Sequence, residues 1–106
     1  MVSRGEIWLV MLDPTVGSEI RKARPCVVVS PPEMHDYLRT VIVAPMTTKS
    51  RPAPFRIPLS HGGKKGLILL DQIRAVDKVR LGKKMGSVST KTLSLTLDTL
   101  QEVFAK

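Results

Sequence analysis

Aromatic side chains are scarce in this chain of 106 residues, which has two Phe, one Tyr and one Trp. Its core must therefore be aliphatic, and any base-stacking platform rests on one or two rings. A single cysteine, Cys26, excludes an internal disulfide scaffold, and its place beside Val27, Val28 and Val29 marks it as a small core side chain. Acidic residues are also few, with 9 Asp and Glu against 17 Lys and Arg, a net charge of +8. They are scattered, and no Cys or His pair has zinc-ligand spacing, so neither a metal site nor a cofactor is expected. Even Asp71 and Asp77, on one face of an unbroken strand, would stand roughly 20 Å apart. The apolar run near the N-terminus, Ile7 to Leu12, is too short for a signal-peptide core or a membrane span, which leads to the expectation of a cytoplasmic protein without membrane association. No repeat, low-complexity linker or compositional break divides the chain, so residues 1–106 read as one domain.

What the chain does have is positive charge, and a polyanion, nucleic acid first, is the partner that charge attracts. The organising stretch is Lys22 to Ser30, where a basic loop enters a valine strand through Pro25. Proline fixes its own φ and biases the preceding residue toward extended geometry, so Arg24 leaves the loop in a defined direction at the mouth of a sheet. Ile7 to Leu12 is apolar on both faces, which implies a closed or strongly curled sheet. The segment from Asp13 to Arg24 has no periodicity and reads as a long polar loop. Met34 to Leu38 suggests one helical turn, Thr40 to Ala44 a strand ended by Pro45, and Met46 to Pro52 a second basic loop. A short edge strand around Phe55 to Leu59 precedes a flexible basic turn from Ser60 to Gly66. Leu67 to Ile73 reads as a central strand continued by Arg74 to Leu81, and Met85 to Val88 as a last short one. Ser89 caps the one convincing helix, Thr90 to about Ala105, whose apolar stripe is Leu93, Leu97, Leu100 and Phe104. The fold class is mainly β, with a curled antiparallel sheet or small barrel and a C-terminal helix over its open end or one face.

The chemistry-bearing residues sit at strand ends. Arg24 opens one strand, Thr47 and Thr48 follow another, and Asp71 and Gln72 end a third. Where such strands are neighbours, their ends form a groove of cations and hydroxyls that suits a phosphodiester. Taken singly, each threonine is equally a turn residue. The two histidines, His35 and His61, fall in loops, and their spacing gives no support to a catalytic pair.

Arg4-Gly5-Glu6-Ile7-Trp8-Leu9-Val10, Leu12-Asp13-Pro14-Thr15, Gly17-Ser18-Glu19, Arg24-Pro25, Ala44-Pro45-Met46-Thr47-Thr48 and Asp71-Gln72-Ile73-Arg74, in that order, resemble the MazF/PemK family of toxin endoribonucleases. The resemblance covers nearly the whole chain. It implies an SH3-like, CcdB-type barrel with a C-terminal helix, a homodimer, and metal-independent cleavage of single-stranded RNA, including mRNA, that inhibits translation and growth. It also implies a MazE-like antitoxin whose disordered tail, acidic to suit the +8 charge, covers the RNA site. Carried over by position, the family's catalytic arginine falls on Arg24 and its threonine on Thr47. The implied reaction is attack of the RNA 2′-hydroxyl on the adjacent phosphorus, leaving a 2′,3′-cyclic phosphate and a 5′-hydroxyl. RNA contacts are expected at Ser18, Glu19, Arg21, Thr48, Phe55, Asp71 and Gln72, with Phe55 open between stacking and core. Some members carry histidine where this chain has Ser18 and arginine where it has Leu69, and Ile20 replaces a common glutamine. The general base is therefore open, with Glu19 and Asp71 as candidates by location or as partners of neighbouring cations. Two other readings use the same features: a CcdB-like gyrase poison, disfavoured because the chain ends in Val103-Phe104-Ala105-Lys106 without a tryptophan, and a non-catalytic nucleic-acid-binding barrel.

Overall fold

Three strands rich in β-branched residues, each buried on both faces, carry the fold in the computed structural model, which describes residues 1–12 and 23–106. They are β1 (Glu6–Met11), β2 (Ala23–Val28) and β3 (Thr40–Thr47). Ile7, Val27 and Ala44 face one another across the three strands and belong to one apolar cluster with Met46, Ile57, Ile68 and Leu70. Residues of the other parity, Val10, Cys26, Val28 and Val43, form a second cluster with Val41 and Val76. A two-residue side-chain period thus feeds two cores from the same strands. Each fully buried Val or Ile contributes about 1.5–3 kcal/mol relative to exposure, which lets an aliphatic core do without rings.

The remaining elements are a short helix α1 (Pro32–Tyr37), strands β4 (Arg56–His61), β5 (Lys64–Leu69), β6 (Arg74–Asp77) and β7 (Leu81–Ser87), and helix α2 (Thr90–Val103). All pairings are antiparallel in the order β4-β5-β3-β2-β1-β7, with β6 also on β3. The sheet curls until its two ends meet. The ring of His61 on β4 lies 3.1 Å from where a Cβ on Gly86 of β7 would sit, and Gly86 has φ +144°. A side chain there would meet both a strained backbone and an imidazole.

Several expectations change. Pro45 does not end its strand; β3 runs on to Thr47. Val29 N donates to Ile42 O, and the Cys26–Pro45 pair lies three residues further along β3, at a non-hydrogen-bonded position. The Pro45 nitrogen therefore faces the other edge, where β3 passes from β6, last paired Val43–Arg74, to β5, first paired Met46–Ile68. A missing N–H costs little in that gap. Leu67 to Ile73 is not one strand either: β5 stops at Leu69, and Leu70–Gln72 forms a 3-10 turn anchored by Leu70 N donating to Phe55 O at 3.2 Å. The basic turn from Ser60 to Gly66 contracts to Gly62-Gly63, whose φ values of +59° and +78° suit a two-residue hairpin, with His61 opposite Lys64. β2 begins at Ala23, so Arg24 does stand at the start of its strand, whereas β7 is longer than Met85 to Val88.

Ser89 caps α2 by accepting from Thr92 N at 3.1 Å, as its position predicts. The inward stripe is Leu93, Thr96, Leu97 and Leu100, the leucines half-buried and Thr96 fully buried, with its hydroxyl satisfied by donating to Thr92 O at 2.8 Å. Phe104, expected in that stripe, is 70% exposed because the helix has ended at Val103. Among the described residues no helix is long and apolar enough to cross a membrane.

Candidate active site

Register brings the first two site residues together. Arg24 pairs with Val10 on β1, and on its other side β2 follows β3 in the register Cys26–Pro45. Continued two residues, that register sets Arg24 across from Thr47, the last residue of β3. Arg24 and Thr47 line one groove of about 530 Å³, together with Thr48, Lys49, His61 and Lys64. On its other flank Arg24 lines a second hollow of about 380 Å³ with Ser50, Gln72 and Arg74. Among the described residues neither lining contains a carboxylate. Arg24 is therefore the cation common to two adjacent hollows, each with further positive charge of its own.

Thr47 has a defined hydrogen-bonding state. Its Oγ1 accepts the Lys49 N–H at 3.2 Å, which leaves its own hydroxyl hydrogen to donate into the groove. Cys26, two residues from Arg24, is buried, its Sγ lies 3.6 Å from Arg24 O, and burial pushes its thiol up to about 12 against the opposing charges of Arg24 and Arg74. It is a packing residue beside the site and no nucleophile.

The other expected residues separate. Thr48 joins the groove and Gln72 the second hollow. Asp71 lines neither: Arg56 Nε and Nη2 donate to its two carboxylate oxygens at 3.3 and 3.2 Å. The hydrogen bonds from Arg56 hold the Asp71 carboxyl below the ordinary carboxylate value, which weakens it as a base. Phe55 also lies outside both linings; it is 38% exposed and its carbonyl anchors the 3-10 turn. Ser18, Glu19 and Arg21 lie outside the described residues.

The two histidines are split. His35 in α1 is buried, with Nδ1 3.0 Å from Val2 O and Nε2 2.6 Å from Ser30 Oγ. A carbonyl only accepts, so Nδ1 carries the proton, while Ser30 Oγ also takes the Ile42 N–H at 3.0 Å. His35 thus ties α1 to the sheet, whereas His61 opens onto the groove. Lys49, Lys64 and Arg74 join these linings without having been expected there from sequence. One usable signal was Gly62-Gly63, since a two-glycine hairpin turn makes His61 and Lys64 a cross-strand pair.

A family model described as PemK-like, MazF-like toxin of type II toxin-antitoxin system matches residues 3–104. The endoribonuclease PemK of Escherichia coli is 35% identical over 108 residues, covering 96% of this chain and 81% of that protein. The endoribonuclease toxin MazF of Escherichia coli K12 is 36% identical over 101 residues, covering 90% of this chain and 91% of that one. In three dimensions a MazE-MazF crystal structure from Deinococcus radiodurans superposes with a TM-score of 0.82 at 23% identity, covering 96% of this chain and 94% of that chain.

Proposed function

This chain belongs to the PemK-like, MazF-like toxin family of type II toxin–antitoxin systems, and on that premise we propose that it is an endoribonuclease cutting single-stranded RNA at a short sequence. The observation that carries this reading is Arg24, shared by two cation-lined hollows and lining one of them with Thr47. A phosphodiester seated on Arg24 has one neighbouring nucleotide in each hollow. The 2′-hydroxyl on the 5′ side attacks the phosphorus, the bond to the 5′-oxygen breaks, and the products are a 2′,3′-cyclic phosphate and a 5′-hydroxyl.

The nucleophile belongs to the substrate, so no activated water is needed, and the protein's task is to hold the phosphate and stabilise charge on its oxygens. Arginine keeps its proton throughout and offers a planar fork of donors, which makes Arg24 a clamp on the transition state rather than a base. The Thr47 hydroxyl adds a second donor to the same phosphate. Thr48 and Gln72 extend the contact along the strand, one on each side. Phe55 and Asp71 reach RNA only beyond the two hollows, and Ser18, Glu19 and Arg21 would contribute from the segment before β2.

The chain acts in the cytoplasm as a homodimer, and cutting mRNA stops translation and growth. The relative from Deinococcus radiodurans was solved as MazE-MazF, which supports a MazE-like antitoxin as partner here; an acidic disordered tail fits a chain of net charge +8. The test is incubation with a long single-stranded RNA in EDTA, followed by mapping and end-group analysis. Recurrent cuts at one short sequence with cyclic phosphate ends support the reading; intact RNA refutes it and moves attention to a protein target.

A further inference from the structure

Cleavage by a 2′-hydroxyl needs a group to take its proton, and the groove around Arg24 offers few. Of the described polar side chains that line it, arginine and lysine hold their protons at neutral pH, and threonine hydroxyls neither gain nor lose one there. The remaining one is His61, and imidazole is the side chain suited to proton exchange in that range.

Its placement is built by three elements. His61 ends β4 opposite Lys64, and the Gly62-Gly63 turn ties it tightly to β5. Its ring then crosses the seam of the curled sheet to rest on Gly86 of β7, Cε1 lying 3.1 Å and Nδ1 3.9 Å from a Cβ placed there. The absence of a side chain at Gly86 makes room for the ring, and neither ring nitrogen has a hydrogen-bond partner among the described residues. Among the described residues the charged groups lining the groove with it are Lys64 on β5, Arg24 on β2 and Lys49 after β3, while Lys84 on β7 is held by Glu6 at 2.7 Å. Of the acids named from sequence, Asp71 is bound to Arg56 outside the groove.

We propose that His61 is the general base of the cleavage reaction, which rests on the ribonuclease reading above. Neutral His61 takes the proton from the 2′-hydroxyl as the 2′-oxygen bonds to phosphorus. The P–O5′ bond breaks, the departing 5′-oxygen takes a proton from water, and the imidazolium returns its own to solvent. Arg24 holds the phosphate while this happens, and Gly86 positions the ring.

The experiment is the pH profile of kcat/KM on a short single-stranded RNA in EDTA, for wild type, His61→Gln and Glu19→Gln, with and without added imidazole. His61→Gln is expected to lose about a hundredfold or more near neutrality, to lose the acidic limb of the profile, and to regain rate with imidazole. In the wild type, the His61 imidazole resonances should titrate with the midpoint of that limb, a reading that needs no variant to fold. A loss under tenfold, an acidic limb unchanged in His61→Gln, or a limb removed by Glu19→Gln alone overturns the proposal. Wild type that cuts nothing at any pH refutes the ribonuclease reading itself, which distinguishes the two failures.

Discussion

In the proposed reaction Arg24 and Thr47 do different work within one contact, and their substitutions should differ accordingly. Arg24→Ala removes a charged, preorganised donor and is expected to cost about a hundredfold or more in kcat. Arg24→Lys should recover little, because an ammonium keeps the charge but not the planar fork. Thr47→Val loses one hydrogen bond to a charged group, worth about 1.5–3 kcal/mol, and should slow cleavage by roughly tenfold to a hundredfold. Arg24 is exposed, so its variants should melt close to wild type in thermal unfolding, which separates lost chemistry from lost fold. Arg24 was legible from sequence because the proline after it limits its geometry. His61 was visible only as a histidine in a loop: its place in the groove depends on Gly86, 25 residues further along (61 to 86) and on the opposite end of the sheet.

At the level of elements, sequence patterning served where a local rule governs and failed where a neighbour decides. Ser89 and the spacing of Leu93, Leu97 and Leu100 announce α2, because capping and helical period are local. Ser89→Ala should therefore cost about 1 kcal/mol, measurable by urea unfolding, with no change in cleavage at saturating RNA. The run Leu67 to Ile73 carries no punctuation, and only Phe55 O, accepting from Leu70 N, shows where β5 stops. Pro45 misled for a similar reason, since whether a proline ends a strand depends on which edge its nitrogen faces. Ile68 is fully buried in the cluster under the site, so Ile68→Ala is expected to destabilise by about 2–5 kcal/mol in the same assay.

Across the whole molecule, charge bears on both the proposed RNA binding and acid stability. Among the described residues four cations line the two hollows, Arg24, Lys49, Lys64 and Arg74. If each meets one phosphate, the logarithm of RNA affinity should fall against the logarithm of salt with a slope of about −3, read by titration at several salt concentrations. Stability at low pH is governed partly by Glu6. Burial alone would raise its carboxyl, but the ion pair with Lys84 and hydrogen bonds from Ser3 N and Trp8 Nε1 outweigh burial and hold it below its ordinary value. A depressed carboxylate contributes stability above its unfolded pKa and loses it as pH falls through the folded one. The gap in thermal stability between wild type and Glu6→Gln should thus be full at neutral pH and close in acid. The curled sheet itself was legible in outline, because a first strand apolar on both faces needs two cores. How far the sheet closes was not, since the contact between β4 and β7 joins residues that no local pattern links.

The most direct measurement is single-turnover cleavage of a short RNA containing the mapped site, in EDTA, by wild type and Arg24→Ala, beside the same oligonucleotide with one 2′-deoxy nucleotide at the cut. The account predicts that wild type cuts the RNA and leaves the 2′-deoxy substrate intact while binding it, and that Arg24→Ala is slower by about a hundredfold or more. Cleavage of the 2′-deoxy substrate, or an Arg24→Ala rate equal to wild type, would contradict it.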